Sequence, residues 1–182
     1  MRDEKGLIER ARKNDPEAFG EIYEEHFDKI YRYVLFRVSD IAEAEDLTQQ
    51  VFLKVVRSIS SFKWRGAPFS SWLFRIAHNQ VVDFYRKTAK MRTTSLDQAP
   101  VVASSDPVSI AEHDADFQQV KGAIGGLTRL QQEVISLRFA GELSTAETAK
   151  IMGKSLGAVK ALQHSALAAL RKTFSGMENH GE

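Results

Sequence analysis

Residues 144–172, STAETAKIMGKSLGAVKALQHSALAALRK, set side chains that could read a nucleic acid on one short helical unit. Lys154 and Ser155 stand at the start of its second helix, where free backbone amides add to the attraction for phosphate. Lys160, Gln163 and His164 follow on that helix and suit base edges or backbone oxygens. A second constellation lies at residues 62–87, FKWRGAPFSSWLFRIAHNQVVDFYRK. Phe62, Lys63, Trp64 and Arg65 interleave rings with cations in a loop. Arg75, Asn79, Arg86 and Lys87 lie on the helix that follows. Rings stack on unpaired bases and cations hold a charged strand. The chemistry in both places is recognition, not bond making. Both patterns also suit plainer roles: a helical hairpin with a solvated polar face, and core packing for Phe69 and Trp72, which fit the apolar period. Trp64, beside Gly66, is placed equally well exposed or buried.

The elements that must position these residues are helices. Ser144 and Glu147 form a capping box, so a short helix starts at Thr145. Gly153 ends it and Ser155 caps a second helix to about Phe174. Two helices about a tight glycine turn make a helix-turn-helix, with Val159 and Leu162 packed back on small Ala149. Upstream, Leu7, Ile8 and Ala11 mark a helix over 3–13. Asn14-Asp15-Pro16 opens a long one, in which Phe19, Ile22, Tyr23, Phe27, Ile30, Tyr31, Val34 and Leu35 recur at steps of three and four, to about Val38. Ser39-Asp40 caps a third over 41–58. Ala44, Thr48, Val51, Phe52, Val55 and Ile59 face inward, and Asp46, Gln50, Leu53 and Arg57 face out. A fourth covers 69–90, with Phe69, Trp72, Leu73, Ile76, Ala77, Gln80, Val81 and Phe84 on its main face. Residues 91–106 have no period and read as a linker. Helices over 108–124 and 129–139 complete the second half, the latter opened by a Thr128–Gln131 capping box. Residues 175–182 read as a disordered tail. The expected fold is all-α: two small helical domains joined by a flexible linker, the C-terminal one containing the helix-turn-helix.

Composition narrows the function. The net charge of +1 hides strong segregation. Residues 1–50 carry 13 acids against 8 Lys/Arg, and residues 54–92 carry 9 Lys/Arg against Asp83 alone. Residues 93–128 carry 5 acids against Lys121, and residues 129–174 carry 7 Lys/Arg against 3 acids. Two basic blocks imply two anionic contact surfaces. Asp83 and His78 lie five residues apart, off a shared helical face, so a salt bridge from Asp83 to Arg86 or Lys87 is the plainer expectation than a metal or catalytic pair. His26 and His113 have no evident partner. The absence of cysteine excludes disulfides and thiolate zinc sites within the chain. No cofactor, metal or small-molecule substrate is expected. No apolar run reaches the length of a membrane span and the acidic N-terminus does not resemble a signal peptide, so a soluble cytoplasmic protein without membrane insertion is expected.

Taken in order, AEDLTQQVFLKVV at 44–56, the stretch 62–87 and LQQEVISLRFAGELSTAETAKIMGKSLGAVKAL at 130–162 resemble the extracytoplasmic-function sigma factors, over nearly all of residues 18–172. The resemblance implies a specificity factor, not an enzyme, that binds bacterial core RNA polymerase and directs it to promoters. It implies a region 2 domain at 1–90 that docks on polymerase and melts the −10 element. It implies a linker at 91–106 and a region 4 domain at 107–175 that binds the −35 element as duplex. Asp46, Gln49, Gln50 and Leu53 match the polymerase-docking helix; by themselves Asp46 and Gln50 also suit a solvated face. Phe62 to Arg65, Arg75, Asn79, Arg86 and Lys87 match the elements that hold the single non-template strand, with Asn79 lining a pocket for an extruded base. Lys154, Ser155, Lys160, Gln163 and His164 fall where the family reads the −35 element. Control by an anti-sigma factor is also implied. The chain departs from the family at Ser165, where arginine is common, near Leu162, where a basic residue is frequent, and at Thr148, which replaces a common isoleucine with little expected effect. The alternatives are a stand-alone helix-turn-helix regulator acting as a dimer, and an enzyme. Residues 41–87 count against the first, and the lack of a nucleophile–base pair, metal cluster or phosphate loop against the second.

Overall fold

Short polar residues set where each early helix begins. In the computed structural model, which describes residues 3–64, 66–94 and 114–178, Asp3 accepts a hydrogen bond from the Gly6 amide at 3.0 Å and starts α1 (Glu4–Arg12). Asp15 accepts from the Glu17 amide at 3.0 Å and Pro16 opens α2 (Pro16–Val38). Asp40 accepts from the Glu43 amide at 2.9 Å and starts α3 (Ile41–Ser58), which ends in a 3₁₀ turn at Ile59–Ser61. After the loop, α4 (Phe69–Thr94) runs four residues into the stretch expected as linker. Ala89, Lys90, Met91 and Arg92 are good helix formers, and no proline intervenes before Pro100.

The apolar stripes of these helices meet as their periods require. Ile8, Ile22, Ile30, Val34, Val51, Val55, Phe69, Leu73, Ala77 and Val81 are buried together. Each large apolar side chain so buried contributes about 1.5–3 kcal/mol.

The second group comprises α5 (Asp114–Gly125), α6 (Arg129–Ile135), α7 (Thr145–Met152) and α8 (Leu156–Glu178). Of the helix expected over 108–124, residues 108–113 lie outside the described residues. The Thr128–Gln131 and Ser144–Glu147 capping boxes both form. Gly153 takes φ +61° at the end of α7, the left-handed conformation that glycine adopts without a Cβ clash. The helix expected over 129–139 changes winding: Ser136–Ala140 form a π turn, closed by the Gly141 amide on the Ser136 carbonyl at 2.9 Å. The wider turn lets one short segment serve three apolar clusters. Val134 packs with Ala149 and Val159, Ile135 with Leu127 and Ala166, and Leu137 and Ala140 with the core of α1–α4. Residues 175–178, expected to be disordered, continue α8.

The two groups are packed on each other. Leu137, Ala140, Leu143 and Ile151 belong to the same buried cluster as α1–α4. Gly141 sits so close that an added Cβ would lie 2.8 Å from Phe74 Cε1 and 2.7 Å from the Leu137 carbonyl. Around this apolar centre run polar ties. Lys29 Nζ lies 2.6 Å from Glu142 Oε2, the Ser71 hydroxyl donates to Glu147 Oε1 at 2.6 Å, and Arg37 Nη1 donates to the Arg129 carbonyl at 3.0 Å. His78 Nδ1 stands 2.9 Å from Glu133 Oε1, both largely buried. The partner of His78 thus comes from the other helical group.

His26 is largely buried beside the Phe69 ring, at 5.8 Å between centroids, and burial pushes its pKa down. Glu25 opposes that shift and Lys29 reinforces it. A folded pKa below the unfolded one means that the unfolded chain binds the extra proton first. The stabilisation is therefore complete above the unfolded value of about 6.5 and is lost as pH falls through the folded one. Thermal melts from pH 7.5 to 5.5 should show falling stability that His26→Phe flattens. Parallel slopes for the two proteins would show that His26 does not govern this window.

Candidate nucleic-acid and polymerase interfaces

The outer face of α3 follows from its inner one. With Ala44, Leu47, Thr48, Val51 and Val55 turned to the core, the 3.6 period leaves Asp46, Gln49 and Leu53 exposed and Gln50 half-buried. The Gln50 amide donates to the Asp46 carboxylate. Leu53 is 55% exposed and lines a shallow cleft of about 380 Å³ with Gln50, Lys54, Arg57 and Gln80. The exposed leucine is thus ringed by the amides of Gln50 and Gln80 and the cations of Lys54 and Arg57, with Asp46 further along the same helix, an apolar centre with a polar rim.

The loop 62–68 corrects one expectation. Phe62 is buried and its ring meets Trp64, Phe69 and Trp72 at 5.2, 5.4 and 5.2 Å between centroids. The aromatic residues of this stretch find one another, because burial with edge-to-face contact is worth more than exposure. Phe62 is therefore a core ring that shapes the loop and presents no face to a base. Trp64 is half-buried, its indole N–H without a hydrogen-bond partner among the described residues. Lys63 is exposed, and Arg65 lies outside the described residues. Below the loop is a cleft of about 570 Å³, lined by Lys63, Ser71, Trp72, Arg75 and, from α7, Lys150.

Along α4, Arg75, Asn79, Val82 and Arg86 recur at steps of four, three and four. They form one solvent-facing stripe that leads away from the cleft. Val82, 44% exposed, is the member that sequence reading passed over, since an isolated valine in a helix carries no signal. Arg86 Nη2 pairs with Asp83 Oδ1 at 2.9 Å, as expected of that lone acid. Lys87 is exposed but falls to the side of the stripe.

In the helix-turn-helix, Val159 is wholly buried against Ala149 and Val134, which fixes the angle between α7 and α8. The Ser155 hydroxyl accepts from the Ala158 amide at 3.1 Å and caps α8, so its lone pairs serve the helix first. Lys160 and His164 are exposed, as is Leu156, at 46%; Lys154 is half-buried. Gln163 is half-buried, and its Oε1 accepts from Arg138 Nε at 3.0 Å. Its amide N–H groups and one oxygen lone pair remain to offer. Ser165, one of the departures from the family pattern, accepts from Gln131 Nε2 at 3.0 Å and donates to the Leu162 carbonyl at 3.0 Å. Thr148 is wholly buried with its hydroxyl unpaired among the described residues, so this further departure leaves an apolar site with an unsatisfied polar atom. Arg138 had no signal in the sequence: it stands in an apolar run and reaches Gln163 and the Leu143 carbonyl only through the π turn.

The chain thus carries three separate surfaces: an amide-rimmed apolar patch, a basic cleft with its stripe, and a helix-turn-helix with an open polar face. It matches Sigma-70 region 2 over residues 22–91 and Sigma-70, region 4 over residues 123–172. It is 38% identical over 169 residues to the ECF RNA polymerase sigma factor BldN of Streptomyces coelicolor, covering 91% of this chain and 64% of that protein's length. With the ECF RNA polymerase sigma factor SigW of Bacillus subtilis it shares 32% identity over 181 residues, 92% of this chain and 95% of that protein. The structure of the sigma factor RpoE in complex with the anti-sigma factor NepR, from Bartonella quintana, superposes with a TM-score of 0.72 at 26% identity, covering 86% of this chain and 96% of that one. The chain belongs to the extracytoplasmic-function sigma factors of RNA polymerase.

Proposed function

We propose that α3 docks on bacterial core RNA polymerase through Asp46, Gln49, Gln50 and Leu53. In this reading the cleft and stripe of α4 hold the single strand of the −10 element, and α8 reads the duplex −35 element. The division of labour follows residues 1–90 and 107–175, with α4 extending the first to Thr94. The observation that carries the reading is the exposed line of Arg75, Asn79, Val82 and Arg86 running from a cleft walled by Lys63 and Arg75. A regulator that only binds duplex has no use for it. Cations there hold the backbone, while Trp72, Asn79 and Val82 offer a ring edge, an amide and an apolar contact to unpaired bases. On α8, Lys160 and His164 are the outward contacts, Lys154 and Ser155 meet phosphate near the helix start, and Gln163, held by Arg138, reaches DNA chiefly through its N–H groups. The factor acts by binding, and polymerase supplies the chemistry. An anti-sigma partner is part of the proposal, supported by the RpoE likeness.

Transcription in vitro from a promoter library with core polymerase, with and without the protein, tests the whole reading. Protein-dependent initiation at a shared two-part sequence is expected; duplex binding without initiation would favour the regulator. Lys160→Ala should weaken duplex binding and make its logarithmic salt slope shallower by about 0.9, one phosphate contact. An unchanged slope would remove Lys160 from the phosphate contacts. Asn79→Ala should slow open-complex formation about tenfold, within the 1–3 kcal/mol typical of a stacked or bonded base, and spare core binding. Equal loss of both would place Asn79 in the fold instead.

A further inference from the structure

We propose that Leu156 reads the C5-methyl group of a thymine in the duplex element, with Gly157 letting the first turn of α8 come close enough for that contact; the proposal rests on the assignment of α8 to the −35 duplex above. The first observation is exposure. The large apolar side chains further along α8, Val159, Leu162, Leu167, Leu170 and Phe174, are buried or half-buried. Leu156 opens the helix, is 46% exposed, and belongs to none of the apolar clusters of the described residues. The second observation is a glycine that the fold does not require. Glycine is among the poorest helix formers, so Gly157 weakens the first turn of α8. A Cβ built there would meet no atom of the described residues within 4 Å, and the residue does not take a left-handed φ. Gly157 and Ala161 each stand two residues from wholly buried Val159, about 200° around the helix, and both are exposed. Room at the centre of an outward face serves a surface that approaches from outside.

The neighbouring polar groups are engaged within the chain. Ser155 caps α8 through the Ala158 amide, the Gln163 oxygen is held by Arg138, and the Ser165 hydroxyl lies between Gln131 and the Leu162 carbonyl. Leu156 is therefore the bulky uncommitted side chain at the end of α8 that a recognition helix turns to base edges. A leucine there has one good partner. In the major groove the thymine methyl is the apolar group that the four base pairs present. An adenine or guanine edge beneath the leucine would lose water from N7 and gain no donor in return. Cytosine offers an amino donor to which a leucine has no acceptor to give.

Holoenzyme reconstituted from core polymerase and the full chain is bound to a promoter duplex recovered from the library, with each thymine of the upstream element replaced in turn by deoxyuridine. That base keeps its pairing and its O4 acceptor and loses only the methyl. One replacement should weaken binding about fourfold, the value of one buried methyl. Leu156→Ala should weaken binding to the thymine duplex by a similar factor and then bind the thymine and deoxyuridine forms equally, which closes a double-mutant cycle between side chain and methyl. Gly157→Ala should keep or raise the melting temperature, alanine being the better helix former. It should nevertheless weaken binding to the same duplex about tenfold, the scale of one lost base contact. An upstream element without thymine, a duplex indifferent to every methyl, or a methyl effect that survives Leu156→Ala would overturn the proposal. Native affinity in Gly157→Ala would overturn the close approach that the methyl contact requires. A promoter on which scrambling the upstream element changes nothing would instead defeat the assignment of α8 to that element, and this proposal with it.

Discussion

Phe74→Ala is expected to lower the stability of the whole chain by about 3–5 kcal/mol, the cost of truncating a fully buried phenylalanine. The ring has no exposed surface, meets Tyr33 edge-on at 5.6 Å, and lies under Gly141 from the other helical group. Truncation removes the transfer free energy of the ring and leaves a void that neither side can collapse into, because Gly141 has no side chain to fill it. Denaturant unfolding should show a lower midpoint with an unchanged slope, since the surface exposed on unfolding is nearly the same. Gly141→Ala, whose Cβ would press on both Phe74 and the Leu137 carbonyl, should destabilise in the same direction by crowding instead of by a void. A loss below about 1 kcal/mol for Phe74→Ala would show that the ring is not packed as described and that the two groups do not share a core.

Leu53→Asp should weaken core-polymerase binding by about 2–4 kcal/mol, roughly 30- to 1,000-fold, with the melting temperature unchanged. Leu53 is 55% exposed, so the fold spends little on it. An exposed leucine needs no explanation by itself. Here it sits about one turn from Gln49 and Gln50 and two from Asp46, and lines a cleft with Lys54 and Arg57. A partner that covers this patch gains the leucine as its dry centre, and a carboxylate there would lose that apolar contact and have to shed its water on docking. Titration of core polymerase against labelled protein reads the effect. Native affinity in the variant would move the docking surface off α3. A fall in melting temperature alongside would show that Leu53 belongs to the fold.

Acid should weaken the ties between the helical groups that run through Glu142 and Glu147. Lys29 holds the Glu142 carboxyl below the usual glutamate range. For Glu147 burial acts upward, but hydrogen bonds from Ser144 and Ser71 outweigh it and the carboxyl is lowered as well. Both contributions are complete above the unfolded glutamate value and fade as pH falls through the folded one.

The elements of this fold were legible because their causes are local. Asp15-Pro16, Asp40, Thr128 with Gln131, Ser144 with Glu147, and Gly153 act within three or four residues of themselves. The inward faces of α3 and of the helix-turn-helix likewise follow from a 3.6 period that needs no partner to be seen. Exposure of Leu53, Arg75, Asn79, Arg86, Lys160 and His164 was legible for the same reason, being the complement of the buried stripe. What sequence alone could not supply were pairings between residues far apart. Phe62 left the list of base-stacking residues because Phe69 and Trp72 receive it. Gln163 is tied by its oxygen to Arg138, which the π turn brings within 3.0 Å. Phe74 and His78 lay off the apolar stripe of α4 because the atoms that bury them, at Gly141 and Glu133, belong to the other group of helices. By itself the sequence determined the helices, their caps and the chemistry of each outward face, since these depend on neighbours along the chain. Only the tertiary structure decided that the two groups close on one another, since burial and charge pairing between segments depend on which surfaces meet.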